Sequence, residues 1–151
     1  MSNEAMPIEV RWSDIDANRH LRHSVYYDYG AYARMTLLTR NGLTTALLEQ
    51  FQTGPILFRE EAVFRREVKF EDRLSITTEL FKATDDFGRW SIRHQFIKGD
   101  GTIAAILTVE GAWIDIEKRK LTAPNEVISE AFGKFPRSAD FQVQVLEKRS
   151  A

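Results

Sequence analysis

One short stretch of this chain gathers the residue types for chemistry at a carbonyl: Arg11-Trp12-Ser13-Asp14-Ile15-Asp16-Ala17-Asn18-Arg19-His20-Leu21-Arg22-His23-Ser24-Val25-Tyr26-Tyr27. Asp16 sits in a polar loop. Ser24 follows, a residue type that caps helices, and Asp28 would lie in the first turn of the helical run it opens. The first N–H groups of a helix have no partner inside the helix. A carboxylate facing them can act as base or nucleophile on a carbonyl that those groups polarise.

Plainer readings compete for the same residues. A loop aspartate such as Asp16 often only closes a turn. Asp14 offers the same carboxylate two residues earlier and reads as structural. His20 and His23 with Asp16 allow a metal, but three ligands in one loop without a fourth make a poor structural site. No Gly-x-Ser-x-Gly elbow surrounds Ser24, which argues against a serine hydrolase. His94 alternates with Trp90, Ile92 and Phe96 on an apolar face and reads as a hydrogen-bonded core histidine. Glu60 and Glu61 read as a solvated strand edge. No phosphate-binding glycine loop or dinucleotide fingerprint is present.

The elements that must position the loop follow from periodicity. Residues 7–13 read as a first strand. Ser24 to about Arg40 reads as a long helix, with Val25, Tyr29, Tyr32 and Thr36 on one face and Tyr26, Gly30, Ala33 and Leu37 on the next. Gly30, Ala31 and Ala33 are small enough for close packing on a sheet, and Asn41-Gly42 stops the helix. A second helix covers about Thr44 to Phe51. After Gly54-Pro55 the period becomes two. Ile56, Phe58, Ala62, Phe64, Val68 and Phe70 share one side, with a bulge or break expected near Glu60 or Arg66. Leu74 to Leu80 reads as a further strand. Asp85-Asp86-Phe87-Gly88 and Gly99-Asp100-Gly101 read as hairpin turns. Thr102 to Ile116 is apolar on both faces, as a central, doubly covered strand would be. Pro124 to Phe132 reads as a short helix and Phe141 to Leu146 as a last strand or arm. One long helix followed by a meander of strands predicts an α+β fold, a curved antiparallel sheet wrapped around that helix.

Composition bounds the rest. The 151 residues suit a single domain, 1–151, with a core over about 7–133. The 21 basic and 22 acidic residues leave a net charge of -1, which argues against a nucleic-acid partner. Cysteine is absent, so thiolate catalysis and disulfides are excluded. No apolar run is long enough for a membrane span, and Met1 to Val10 lacks a signal-like core, so a cytoplasmic location is expected.

Two segments carry a resemblance to a known family. Val10 to Asn18, followed by His20, His23, Tyr26 and the helical Ala33-Arg34, resembles the hot-dog fold thioesterases of the 4-hydroxybenzoyl-CoA thioesterase-like branch. Phe64-Arg65-Arg66-Glu67-Val68-Lys69-Phe70-Glu71-Asp72-Arg73-Leu74 is similar to that family's strand and aromatic-acid-Asp turn. The resemblance runs from about Pro7 to Asp115 and implies a hot-dog sheet of about five or six strands around the central helix. It implies hydrolysis of an acyl thioester, of CoA or of acyl carrier protein, without metal or organic cofactor. Asp16 would be the catalytic carboxylate. His23, with its backbone N–H, would polarise the thioester oxygen, and the N–H of Ser24 would help hold the oxyanion. Tyr26 would line the core and part of an acyl pocket. Arg89 is the best analogue for a charge at the CoA phosphates. Relatives often carry Gly where Arg19 stands, which puts the loop geometry in question and places a charge near the substrate entrance. A homodimer or tetramer is implied, with each pocket combining the Asp16 loop of one chain and the helix start of another. The same fold also hosts hydratases or dehydratases and non-catalytic acyl-thioester binders, so fold alone does not choose among them.

Overall fold

The computed structural model describes residues 5–146. In chain order the elements are β1 (Met6–Ile8), a 3-10 turn (Trp12–Asp14), α1 (Val25–Arg40), α2 (Thr45–Phe51), β2 (Thr53–Phe64), β3 (Leu74–Ile76), β4 (Glu79–Ala83), β5 (Arg89–Lys98), β6 (Ile103–Asp115), β7 (Lys120–Leu121), α3 (Glu126–Gly133) and β8 (Arg137–Val143). The strands form one eight-stranded sheet. β6 is central, antiparallel to β2 on one side and to β5 on the other. The far edge of β5 carries β3 and β4 in turn, with β1 beyond β3 and β8 beyond β4. The hot-dog α+β architecture is therefore present.

The strand count exceeds the five or six expected because short edge segments join the sheet. The β4–β8 pair is parallel, not antiparallel, because β8 arrives after α3 has crossed the end of the sheet. β8 begins at Arg137, earlier than the arm expected from Phe141, and buried Phe135 and Ser138 carry the core past residue 133. The segment read as one strand from Leu74 to Leu80 is interrupted at Thr77 and Thr78. The register carries through, with Ile76 opposite Phe96 and Glu79 opposite Arg93, but the Thr77 carbonyl turns to accept from His94 Nδ1 at 3.1 Å. In β2 the irregularity falls between Leu57 and Arg59, ahead of Glu60, and the strand ends at Phe64.

α1 lies on the sheet through Val25, Tyr26, Gly30, Ala33, Arg34 and Leu38, spaced as one helical face. Tyr32, expected on a packing face, is 67% exposed. A Cβ at Gly30 would stand 2.5 Å from Leu107 Cδ2, so glycine is what lets the helix approach β6 this closely. The other end of the sheet is closed by α3, whose Phe132 stacks on Phe135 at 4.7 Å and meets Trp90 and Trp113. Asn125 caps α3 by accepting from Ile128 N at 3.0 Å.

Candidate active site

The Asp16 loop is a closed structure. Ile15 and Leu21 form an isolated antiparallel bridge, and Asp16 N donates to His20 O at 2.8 Å. Inside it, Asp16 Oδ1 accepts from Asn18 N at 2.9 Å and His20 N at 3.3 Å. The turn-closing reading of Asp16 is thus realised by one carboxylate oxygen. Oδ2 makes no hydrogen bond among the described residues and is left for other work.

The loop is tied down on both sides. Leu21 N donates to Val68 O at 2.7 Å, which pins it to the segment after β2. Asp14 anchors it beneath. Its buried carboxylate accepts from Arg11 Nη2 at 3.0 Å and Tyr29 OH at 2.6 Å. Burial acts to raise the Asp14 pKa, but the hydrogen bonds from Arg11 and Tyr29 outweigh it and hold the group below the usual carboxylate range. Asp14 is therefore the structural partner in the Asp-x-Asp pair.

A cavity of about 310 Å³ opens beside the loop. Asp16, His20, His23, Tyr26, Phe64, Arg66 and Glu67 are among its walls. Tyr26 is 3% exposed and meets Phe64 edge-on at 5.1 Å, which gives the cavity an aromatic floor. Burial pushes the Tyr26 hydroxyl up to about 12, so it is a neutral donor at ordinary pH. His20 Nε2 faces Glu67 Oε2 at 3.0 Å across one wall. At the opening of α1, the backbone N–H groups of His23 and Ser24 have no acceptor among the described residues. Asp16 and His23 thus border one cavity, so a carboxylate and the residue just ahead of α1 share it.

The structure brings Asp16, His23 and Tyr26 together within one chain. The shared pocket expected from the resemblance divided the Asp16 loop and the helix start between two chains. Six residues separate Asp16 from His23, and both line the same cavity of one chain. Ser24 stands at the helix start, but its side chain caps nothing. Its φ of -68° and ψ of -28° are already helical, and its Oγ accepts from Arg22 Nε at 3.1 Å. Arg19 lines a second cavity of about 550 Å³, with Asp16, Trp12, Lys69 and Phe70, which shares Asp16, His20 and Glu67 with the first. Its φ of 67° shows that arginine here adopts the left-handed backbone suited to glycine. Arg89 is not brought to Asp16 in this chain. It opens β5 at the end of the sheet remote from Phe96, with its guanidinium 5.3 Å from the Phe58 ring centroid. His94 is the buried core histidine expected, and among the described residues no group of three His, Asp or Glu side chains is placed to hold a metal.

Glu67 and Arg66 are cavity residues that spacing did not single out. They lie in the second resembling segment, which the Leu21–Val68 hydrogen bond and the His20–Glu67 pair bring against the loop.

No curated protein matches the chain by sequence. Solved structures match its fold. A hypothetical protein of Staphylococcus aureus in complex with CoA superposes with a TM-score of 0.81 at 19% identity, covering 100% of this chain and 98% of that one. The gentisyl-coenzyme A thioesterase BH1999 gives 0.74 at 22%, over 85% and 99%. The 1,4-dihydroxy-2-naphthoyl-CoA thioesterase of Synechocystis gives 0.77 at 14%, over 86% and 95%. The sequence model of one family spans residues 10–132, from just after β1 to the last turn of α3, and by that match the chain belongs to the thioesterase-like superfamily.

Proposed function

We propose that this protein hydrolyses an acyl-CoA thioester to free acid and CoA. The observation that carries the reading is the single cavity shared by Asp16 and the start of α1. Oδ1 of Asp16 holds the loop, and Oδ2 acts on the thioester carbon, as base toward water or as nucleophile. The N–H groups at His23 and Ser24 receive the developing oxyanion, and the helix dipole adds to their effect. Removing one such donor in an acyl-transfer enzyme costs roughly 2.7–4 kcal/mol of barrier. The reaction so read draws on no metal or organic cofactor. The CoA-bound neighbour and the acyl-CoA thioesterases among the structural matches support the choice of a CoA thioester.

A homodimer fits the same reading. β2 pairs with β6 along one edge and with nothing described along the other. Leu57, Phe58, Val63 and Phe64 on it are each at least 40% exposed, and a long apolar edge strand calls for a partner.

The test follows release of free thiol from acyl-CoAs of varied chain length. Asp16→Asn is expected to lower turnover by about 100-fold or more while leaving the fold unchanged by circular dichroism. Turnover that survives Asp16→Asn would sink the proposal. Hydration of an enoyl-CoA without thiol release would transfer the site to the lyases of this fold.

A further inference from the structure

A third cavity, of about 280 Å³, lies under the C-terminal half of α1 and shares no wall residue with either cavity lined by Asp16. Along α1 this cavity and the first are about ten residues apart, or roughly 15 Å. Its floor is apolar and buried: Trp90, Ile92, Trp113 and Phe132. Its rim, at Ala31 and Pro55, is exposed.

In this apolar surrounding one hydrogen-bond donor lacks an acceptor, and one cation lacks a counter-charge within ion-pair distance. Trp90 is 3% exposed, and its indole Nε1 is buried with no partner among the described residues. The neighbouring indole of Trp113 shows the usual solution, donating to Phe87 O at 3.0 Å. Arg34, also in the wall, is 8% exposed. Its one hydrogen bond among the described residues runs to His94 Nε2 at 3.1 Å. Arginine only donates, so Nε2 accepts and the ring proton resides on Nδ1, which donates to Thr77 O. The imidazole is neutral and leaves the guanidinium charge unbalanced. Glu60, the one carboxylate whose field acts on Arg34, stands beyond ion-pair distance on the exposed strand β2. Buried cations and buried N–H groups are as a rule paired.

The geometry points to a binding site for an apolar chain tipped by a carboxylate, its oxygens held between the Arg34 guanidinium and the Trp90 N–H. Planar carboxylate suits the arginine fork, and the apolar floor suits the chain. The volume restricts the occupant to a small ligand. Two sources carry this chemistry: a free monocarboxylic acid, or the distal carboxylate of a dicarboxylic acyl group on CoA. The assignment does not depend on hydrolysis at Asp16, because binding is read without turnover.

The test is calorimetric titration of the intact protein at neutral pH with octanoate and with octan-1-ol, and with dodecanedioyl-CoA and dodecanoyl-CoA on the Asp16→Asn variant. The carboxylate-bearing member of one pair is expected to bind at least tenfold more tightly than its apolar counterpart. Arg34→Gln should abolish that difference, and Trp90→Phe, which keeps the apolar wall and the guanidinium, should reduce it several-fold. A difference in the first pair assigns the site to free acids, and one in the second to the acyl tail. Equal binding within both pairs, or a preference that persists unchanged in both variants, overturns the inference. Trp90→Phe keeps the test open if Arg34→Gln does not fold.

Discussion

At the scale of single residues, His94 is the group whose protonation the fold opposes most. Burial drives its imidazole down to about 3, the Arg34 charge adds to this, and the bond to Thr77 O works the other way. An unfolded chain restores a value near 6.5. Between those limits the unfolded state takes up a proton that the folded state refuses. Stability therefore falls as pH drops from about 6.5 toward 3, and His94 contributes no pH dependence above that window. His94→Gln retains an acceptor for Arg34 and a donor for Thr77 but does not titrate. Urea midpoints measured from pH 7 to pH 4 should decline more steeply for the unaltered protein than for this variant. Arg19 tests a different residue-scale conflict. Its left-handed backbone disfavours any residue with a Cβ, so Arg19→Gly should leave the melting temperature level or raise it, by up to ~1 kcal/mol of stability. If the arginine charge also guides substrate into the cavity it shares with Asp16, the same variant raises KM for acyl-CoA with kcat little changed.

At the scale of elements, the packing of α1 on β6 decides how the site is held. Gly30→Ala would improve helix propensity by about 0.8–1.0 kcal/mol. It would also set a methyl 2.5 Å from the fully buried Leu107 side chain, with Arg34 Nη1 at 3.2 Å and His94 Cδ2 at 3.4 Å. Overpacking costs typically about 1–3 kcal/mol, so it wins. The variant should lose stability in denaturant melts, and its turnover should fall because α1 also presents the N–H groups at its start. The loop is less dependent on α1. Its geometry rests on Asp14, the Ile15–Leu21 bridge and the Leu21–Val68 bond. The helix of small residues and the alternating strands were legible in the sequence because burial follows a period of 3.6 or 2. The turn of Thr77 toward His94 was not, because a carbonyl captured by a side chain across the sheet leaves no local pattern.

At the scale of the whole molecule, β2 is the part left incomplete. Its free edge and its exposed Leu57, Phe58, Val63 and Phe64 should be covered by a second copy of the chain. Light scattering is expected to give a dimer or a multiple of it. Val63→Lys places a charge on that edge without touching the buried core, and it should shift the protein toward monomer at micromolar concentration. A monomeric unaltered protein with full stability would remove the dimer from the account. No helix among the described residues is long and apolar enough to cross a membrane.

The sequence by itself determined the candidate loop, the long helix, the alternating strands and the family likeness. These depend on residue types at fixed spacing, and spacing is a property of the chain. The tertiary structure alone decided that Glu67 and Arg66 share a cavity with Asp16 and His23, and that Arg89 lies at the far end of the sheet. It also decided that Arg34 and Trp90 share a cavity, the indole N–H of Trp90 without an acceptor among the described residues. Those facts arise where distant segments are pressed together by the burial of apolar surface, and burial leaves no mark in the spacing of the polar groups it traps.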